Sequence, residues 1–414
     1  LWPVLWQWDV VLRMLDRPRW PQSLELGLAW ALTFATSIQL GLFATIILVL
    51  IVPWFFMCKK GQGVGVWISG IVLGTLLILP VGLPMSRILS RHAVVRPPEV
   101  VTSLSADACE WLASPPHGLD SYLGESYAFG GRCLNPGWII SLLAVGITVT
   151  ALFRGSQTTF PRRVVLFLAA VVIVSVLGST GTRIRLGQVS TWDMLAAIVP
   201  PFAAVRSPYR FAYLGQLAML LLSALGLMGL RSYLQKILPG GRKGIVSAGI
   251  FTGVGLVCLL ELLPGAPFLV VPPDYSHPPG WARYLAKRGR AGSVVLVLDF
   301  PEPGQLIEYE RTVRVMLWQP IHGCRLVNGY SGVFPARWWR LAKAWRKEPY
   351  SEESCGFLKE NDVRFLLRPP TFPAPPPQLP SGLTATRKFA DDTGWEVWEV
   401  DQAITSPTGT RAFK

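Results

Sequence analysis

Apolar residues form long, nearly uninterrupted runs over the first two thirds of this chain and shorter mixed patterns over the last third. The runs lie at about 24–38, 40–57, 62–83, 137–153, 163–180, 208–230 and 244–263. A helix needs about 20 apolar residues to cross ~30 Å of hydrocarbon, and fewer where flanking groups snorkel. Each run is therefore predicted to be a membrane span. The first two are short and joined tightly around "TSIQLG", which predicts a hairpin of half-buried helices, and residues 1–12 read as the tail of an earlier span. After Pro264 the pattern changes: "SVVLVLDF", "VRFLLR" and "WEVWEV" predict strands, while "GWARYLAKRG", "PARWWRLAKAWRKEP" and "CGFLKEND" predict helices. That alternation suits a small α/β domain, with "RPPTFPAPPPQLP" as an extended loop inside it. The expected architecture is an α-helical polytopic membrane protein, with residues 1–263 in the membrane and residues 264–414 as a C-terminal extracytoplasmic α/β domain.

Composition agrees with the pattern: 51% hydrophobic residues against 15% charged is too apolar for an ordinary soluble enzyme of 414 residues. The net charge of +14 does not point to nucleic acid, because the basic residues fall in short clusters between apolar runs instead of on one continuous face. Arg13, Arg17, Arg19, Lys59, Lys60, Arg154, Arg162, Arg163, Arg231, Lys236, Arg242 and Lys243 all fall on one side of the predicted topology, with only Asp16 against them. The positive-inside rule makes that side cytoplasmic. Loops 84–136 and 181–207, and everything after Pro264, are then outside. "LWPVLWQWDVVLRML" has neither an initiator Met nor a signal-peptide layout, so the true N-terminus is expected upstream. Cys58 and Cys258 fall at or in spans as small buried thiols. Cys109 and Cys133 share one external loop, and Cys324 and Cys355 share the external domain. Each pair is a candidate disulfide in an oxidising compartment.

The candidate chemistry centres on "PPFAAVRSPYRFAYL", residues 200–214. Ser207 suits an N-cap and Pro208 a first helical turn, so a helix should begin there, at the outer membrane surface. Arg206 and Arg210 add two positive charges where the helix dipole is already positive, an arrangement that favours an anion such as phosphate. Two readings stand: the arginines snorkel to ordinary lipid headgroups, or they hold the phosphate of a polyprenyl-linked sugar. Arg183 and Arg185 in "GTRIRLG" extend the same basic rim or simply face lipid. Glu99, Asp107, Glu110, Asp120, Glu125 and Asp193 are external carboxylates of the type that serves as general base, although loop acids are usually only solvated. "SADACEWLASP" reads as a short amphipathic helix with Trp111 at the membrane interface. In the C-terminal domain His322, Asn328, Tyr330 and Ser331 gather in the Gly-rich "HGCRLVNGYSG", which suits either sugar contact or a plain turn. Trp338, Trp339 and Trp345 in "RWWRLAKAW" read as a packing face, a membrane-surface face or a glycan platform.

Other signals carry little. The four histidines lack metal-ligand spacing, so a built-in zinc site is not expected. "GSTGTRIRLG" lacks the Lys-Ser/Thr of a phosphate loop, and G-x-S-x-G is absent. Gly70 with Gly74, and Gly249 with Gly253, have the spacing of close helix contacts.

In their order along the chain, "PPFAAVRSPYRFAYLGQLAMLLLSALGL", "CRLVNGYSGVFPARWWRL" and "FLKENDVRFLL" resemble the large bacterial membrane proteins related to GT-C glycosyltransferases. "RMLDRPRWPQSLELGLAWALTFATSIQLGLFATIIL" is similar to their middle spans, and "SADACEWLASPP" to the external loop before a late helix. The resemblance implies a multispanning protein of the bacterial inner (plasma) membrane that transfers a sugar from a polyprenyl-phosphate carrier to an extracytoplasmic acceptor. Its partners would be membrane lipid, the polyprenyl-phosphate-linked sugar and that acceptor, and not nucleic acid. No cofactor is implied and a divalent metal is left open. The essential acid of that family lies in a first external loop, which falls before Leu1, so the catalytic residue is unassigned. A lipid-linked glycan transporter is a rival, weakened because the spans hold little polar beyond Gln39, Gln216 and Glu261. A non-catalytic assembly protein with an external binding domain is another.

Overall fold

The computed structural model describes residues 1–58, 63–91, 98–113, 133–153, 161–199, 202, 205, 207–237, 243–262, 274–289, 292–300, 309–329, 336–372, 377, 379–380 and 382–402. The chain forms two compact units, Leu1–Leu89 with Pro98–Phe268, and Ser90–Pro97 with Leu269–Lys414.

The first unit is helical. α1 (Trp2–Asp16), α2 (Trp20–Thr36), α3 (Ile38–Cys58) and α4 (Val64–Arg91) are followed by a short α5 (Pro98–Ser103). α6 (Trp138–Phe153) and α7 (Arg162–Ser179) come next, then the hairpin β1 (Arg185–Leu186) and β2 (Val189–Ser190). α8 (Thr191–Ile198), α9 (Ala212–Ile237) and α10 (Lys243–Leu262) complete it. Among the described residues, three helical stretches are long and apolar enough to cross a membrane: Val64–Arg87, Arg162–Ser179 and Pro208–Ile237. Among the described residues Ile38–Pro53, Trp138–Phe153 and Ala248–Glu261 are shorter apolar stretches, the first and last of them parts of the longer helices α3 and α10. The expected run at 24–38 belongs to neither group, because Gln22, Ser23 and Glu25 occupy the first turns of α2. The predicted hairpin at "TSIQLG" is a single extended residue, Ser37, between α2 and α3.

These helices pack through small residues and aromatics. A Cβ on Gly74 would lie 2.5 Å from the Trp30 ring, and one on Gly27 would lie 3.0 Å from the Gly74 backbone nitrogen, so α2 and α4 cross at backbone distance. The expected contact at Gly249 and Gly253 is not found among the described residues. Phe43 stacks on Phe211 at 3.8 Å between centroids, and Phe211 fills the space left by Gly178. Many large apolar side chains on α4, α6 and α10 stay exposed, including Leu76, Leu142 and Leu259, the outward faces expected of helices solvated by lipid.

Polar groups within this apolar unit find internal partners. Glu261 of α10 accepts the Trp138 and Ile139 N–H groups at 3.0 and 3.1 Å, which caps α6 with a carboxylate. Gln216 donates to the Leu134 carbonyl at 2.9 Å. At one end of the unit Arg163 pairs with Asp16. At the other, the segments 102–113, 179–183 and 207–211 cross, held by Ala106 N–H to Ser179 O at 2.8 Å and Tyr209 N–H to Leu104 O at 3.2 Å.

The second unit is a five-stranded sheet between helices. β3 (Val294–Val297) lies parallel to β4 (Arg325–Leu326) and β5 (Val363–Arg368), while β6 (Leu383–Ala390) and β7 (Glu396–Gln402) add antiparallel, in the order β4-β3-β5-β7-β6. α14 (Ala336–Lys347) and α15 (Glu352–Glu360) cover one face with Trp338, Leu341, Trp345 and Leu358. The other face meets α11 (Gly280–Arg288), α12 (Tyr309–Leu317) and α13 (Gln319–His322) through Trp281, Leu285 and Val315. Of the three readings for "RWWRLAKAW", packing holds for Trp338 and Trp345, 7% and 1% exposed. The pairing of β3 with β5 skips Arg364, a bulge that places Val363 and Leu366 on the first face and Phe365 and Leu367 on the second.

Glu396 ties the antiparallel half together. It takes Arg368 at 2.8 Å directly across the ladder, Arg387 at 3.0 Å and the Trp398 indole N–H at 3.0 Å. Burial disfavours its charge, but Arg368, Trp398 and Arg387 together hold its pKa below the ordinary 4.5. A carboxylate with a depressed native pKa stabilises the fold above its unfolded value, and that contribution is lost as pH falls through the native one. Glu396→Gln replaces charge-assisted hydrogen bonds by neutral ones and should cost about 2 kcal/mol at pH 7, the scale of a hydrogen bond to a charged group, and it should flatten the loss of stability below pH 4.5. Urea-dependent proteolysis of the β5–β7 region in the full chain, at neutral and acid pH, measures both effects.

Candidate functional site

The arginines expected to hold a phosphate do not form one cradle in the described residues. Arg206 lies outside the described residues. Pro208–Phe211 forms a 3-10 turn ahead of α9, and Ser207 makes no side-chain cap bond. Its carbonyl instead accepts Gln39 Nε2 at 3.2 Å, while Gln39 Oε1 accepts Arg210 Nη1 at 2.8 Å. Arg210 is thus half-buried on a neutral amide, with the Tyr209 ring 6.0 Å away, and among the described residues no carboxylate pairs with it. Arg183 is neutralised: its Nη1 meets Asp107 Oδ1 at 2.8 Å and its Nε meets the Ser105 carbonyl at 3.3 Å. Arg185 is exposed on β1.

The same contacts correct the expected bases. Asp107 serves as the Arg183 counterion, and Glu110 accepts the Asp107 N–H at 3.2 Å in a capping box. Asp193 is tied to Ser190 at the start of α8. Asp120, Glu125 and the Glu99 side chain lie outside the described residues. "SADACEWLASP" is a 3-10 turn at Ala108–Trp111 instead of an amphipathic helix. Trp111 donates to Ser179 Oγ at 3.0 Å and fits against Gly215, so it anchors the crossing segments within the unit.

The expected glycan contacts are also corrected. His322 is 4% exposed, its Nδ1 accepts the Cys324 N–H at 3.1 Å, and burial lowers its pKa despite the opposing pull of the Val315 carbonyl. Asn328 is 2% exposed and joins β3 through the Val297 N–H at 3.0 Å and carbonyl at 2.6 Å. Both residues hold the turn. Tyr330 and Ser331 lie outside the described residues. Cys109, Cys133, Cys324 and Cys355 are free thiols. The 324–355 pairing fails on geometry, because Cys324 packs on one face of the sheet and Cys355 on the other.

The second unit does contain an aromatic cleft that the motifs did not reveal. It encloses about 530 Å³ and is lined by Trp281, Trp318 and Trp395 with Pro369 and Pro370, and by His277, Arg314, Thr371 and Thr393 among the polar residues. Trp281 and Trp395 approach to 5.7 Å between ring centroids, and Tyr275 props Trp318 edge-on at 5.4 Å. The β6–β7 turn supplies Thr393 and Trp395. There Asp391 Oδ1 accepts the Thr393 and Trp395 N–H groups at 3.0 Å each and the Thr393 hydroxyl at 2.6 Å. Gly394, at φ +84°, lets that turn rest on Pro370, since a Cβ there would lie 3.0 Å from Pro370 Cβ.

At the rim His277 Nδ1 faces Asp274 Oδ2 at 2.7 Å, which favours the Nδ1–H tautomer and leaves Nε2 as an acceptor. The Ser276 hydroxyl, His277 and the Ser276 N–H together hold the Asp274 pKa below its usual value. Among the described lining residues there is no carboxylate, and the cleft offers flat apolar faces with hydrogen-bonding edges. Sequence reasoning missed it because its tryptophans come from α11, the α12–α13 junction and the β6–β7 turn, three separate elements between Trp281 and Trp395.

No protein-family model matches this chain, and no curated protein matches it. The resemblance to GT-C-related proteins rests on the sequence motifs alone.

Burial raises the Cys324 thiol pKa and pushes the Cys355 thiol up to about 11, so neither forms much thiolate at neutral pH. Without reductant, N-ethylmaleimide should leave both unmodified in the folded protein and alkylate both after denaturation. Peptide mass spectrometry reads the difference.

Proposed function

We propose that this chain is a multispanning cell-envelope membrane protein whose C-terminal domain lies outside and binds a saccharide. The carrying observation is the cleft with three indoles and a polar rim. One face of a pyranose presents C–H groups that pack against an indole, while its hydroxyls need donors and acceptors at the edge. Aromatic walls with a few placed polar groups supply both. His277, Arg314 and Thr393 are the polar candidates. The membrane reading is supported by the three long apolar helices and by their exposed faces. The end of the helical unit where Arg163 meets Asp16 is the cytoplasmic one in this reading, because the basic connections cluster there.

A second reading adds chemistry: transfer of the sugar from a polyprenyl phosphate to an extracytoplasmic acceptor. One observation favours it, the half-buried guanidinium of Arg210 with no carboxylate partner among the described residues. Held there, the donor phosphate would gain a stabilising cation as it leaves. The neutralised Arg183 contributes nothing to that site, which favours binding as the primary role.

Calorimetry on the full chain in detergent, with neutral and N-acetylated hexoses and their short oligomers, tests the binding role. Trp395→Ala and Trp318→Ala should each weaken binding about tenfold, near the upper end of what one stacked aromatic contributes. No saturable binding by the wild type would overturn this reading. For transfer, Arg210→Ala should lower kcat/KM for a polyprenyl-phosphate sugar by about a hundredfold. Undiminished turnover at limiting donor removes the phosphate role.

A further inference from the structure

The junction of α1 and α2 carries an inference independent of the saccharide reading. Arg17 ends α1, Pro18 follows, and Arg19 precedes α2. The junction is held in place. The Arg17 N–H donates to the Arg13 carbonyl at 3.0 Å, the Arg19 N–H donates to Gln22 Oε1 at 2.8 Å, and the Pro18 ring packs over Gly63, whose φ of +79° suits glycine. The carboxylates of α1 and α2 are engaged elsewhere: Asp9 and Glu25 both pair with Arg13, at 2.9 and 2.5 Å, and Asp16 pairs with Arg163. Arg17 and Arg19 are exposed, and among the described residues no carboxylate pairs with either. The Asp16–Arg163 pair, together with Trp8 edge-on to Phe167 at 6.3 Å, lays α1 antiparallel to α7. Arg162, exposed and likewise without a carboxylate among the described residues, is thereby brought to the same end. Three guanidiniums there form a positive surface that an external anion would stabilise.

α2 selects the anion. Its polar side chains point inward: Gln22 and Ser23 are buried, and Glu25 is turned to Arg13. Its apolar side chains point outward: Trp20, Leu24, Leu28 and Leu32 are 66%, 53%, 37% and 44% exposed. Four residues apart, they form one stripe along the helix. The stripe runs about 18 Å at 1.5 Å per residue, close to the length of an extended palmitoyl chain, and it starts beside Arg19. Trp20 sits where the charged end meets the apolar stripe, the place an indole takes at headgroup level. A phosphate joined to a hydrocarbon chain fits both parts. A free phosphate, a nucleic acid or an acidic peptide would meet the arginines and leave the stripe uncovered.

We infer that the α1–α2 junction binds an anionic phospholipid, its phosphate on Arg17, Arg19 and Arg162 and an acyl chain along Trp20, Leu24, Leu28 and Leu32. The inference rests on the membrane reading but on nothing in the C-terminal domain.

The test uses the full chain in phosphatidylcholine vesicles that contain a trace of one of two probes, a phosphatidylglycerol or a phosphatidylcholine with identical diazirine-bearing acyl chains. After irradiation, peptide mass spectrometry should place the phosphatidylglycerol on Leu24 and Leu28 about tenfold more than the phosphatidylcholine, the scale set by a few arginines facing an anionic headgroup. Leu142 and Leu259, exposed on α6 and α10, should label equally with either probe. Arg17→Gln combined with Arg19→Gln changes two exposed side chains that have no ion-pair partner among the described residues. It should abolish the preference and leave labelling of Leu142 and Leu259 unchanged. Millimolar glycerophosphoglycerol, the same headgroup without chains, should not displace the probe. Equal labelling of Leu24 and Leu28 by the two probes, or a preference unchanged in the double variant, overturns the inference. Displacement by the free headgroup overturns it in favour of a soluble phosphate ester. Labelling of Leu142 and Leu259 without Leu24 and Leu28 overturns it while leaving the membrane reading intact. No labelling at any of these positions overturns both.

Discussion

A backbone or side-chain polar group enclosed by apolar helices must find its partner within the protein, and that requirement organises the helical unit. Glu261 is its sharpest expression. A carboxylate in an otherwise apolar helix is stable there because it receives the two free amides that begin α6. Gln216 and Gln39 follow the same rule, each joining its helix to a loop carbonyl. At the crossing of three connecting segments, Ser105, Thr182 and Ser179 do the same with hydroxyls, as in Thr182 N–H to Ser105 Oγ at 3.2 Å. Among the described residues Gln7 Oε1, Trp8 Nε1 and Ser175 Oγ depart from the rule.

Hydropathy made the helices legible, because burying or lipid-exposing an apolar run needs no knowledge of what it packs against. What the runs did not give is where each helix begins and ends: α2 and α3 are separated by Ser37 alone, and α3 continues through Pro53 as one helix to Cys58. In the second unit, "SVVLVLDF" and "VRFLLR" read as strands because both faces of the sheet are covered and their residues are nearly all apolar. β6 was missed: seven of its eight residues are exposed or half-exposed in a mixed sequence, and it is a strand through its pairing with β7.

The functional residues were the least legible, for a related reason. Arg206 and Arg210 drew attention by charge beside an apolar run, yet a guanidinium's role depends on its partners, and Gln39 lies 171 positions away from Arg210. His322 and Asn328 had polar types suited to sugar contact, but polar atoms in a turn beside a buried strand are first needed by the backbone. The cleft tryptophans had no motif at all. Trp395 was visible only as the first letter of a predicted strand, and its position in the cleft comes from the Asp391 turn.

The bulge at Arg364 has an evolutionary implication. Because one skipped residue decides which half of β5 faces each helical layer, removing or adding a single position there would exchange Val363 with the set of Phe365 and Leu367. Two well-packed layers would each receive side chains shaped for the other. Substitutions in this strand can be absorbed one at a time, whereas a change in its length cannot. Related chains that keep this domain should vary freely in the connections around the strand and hold its residue count constant.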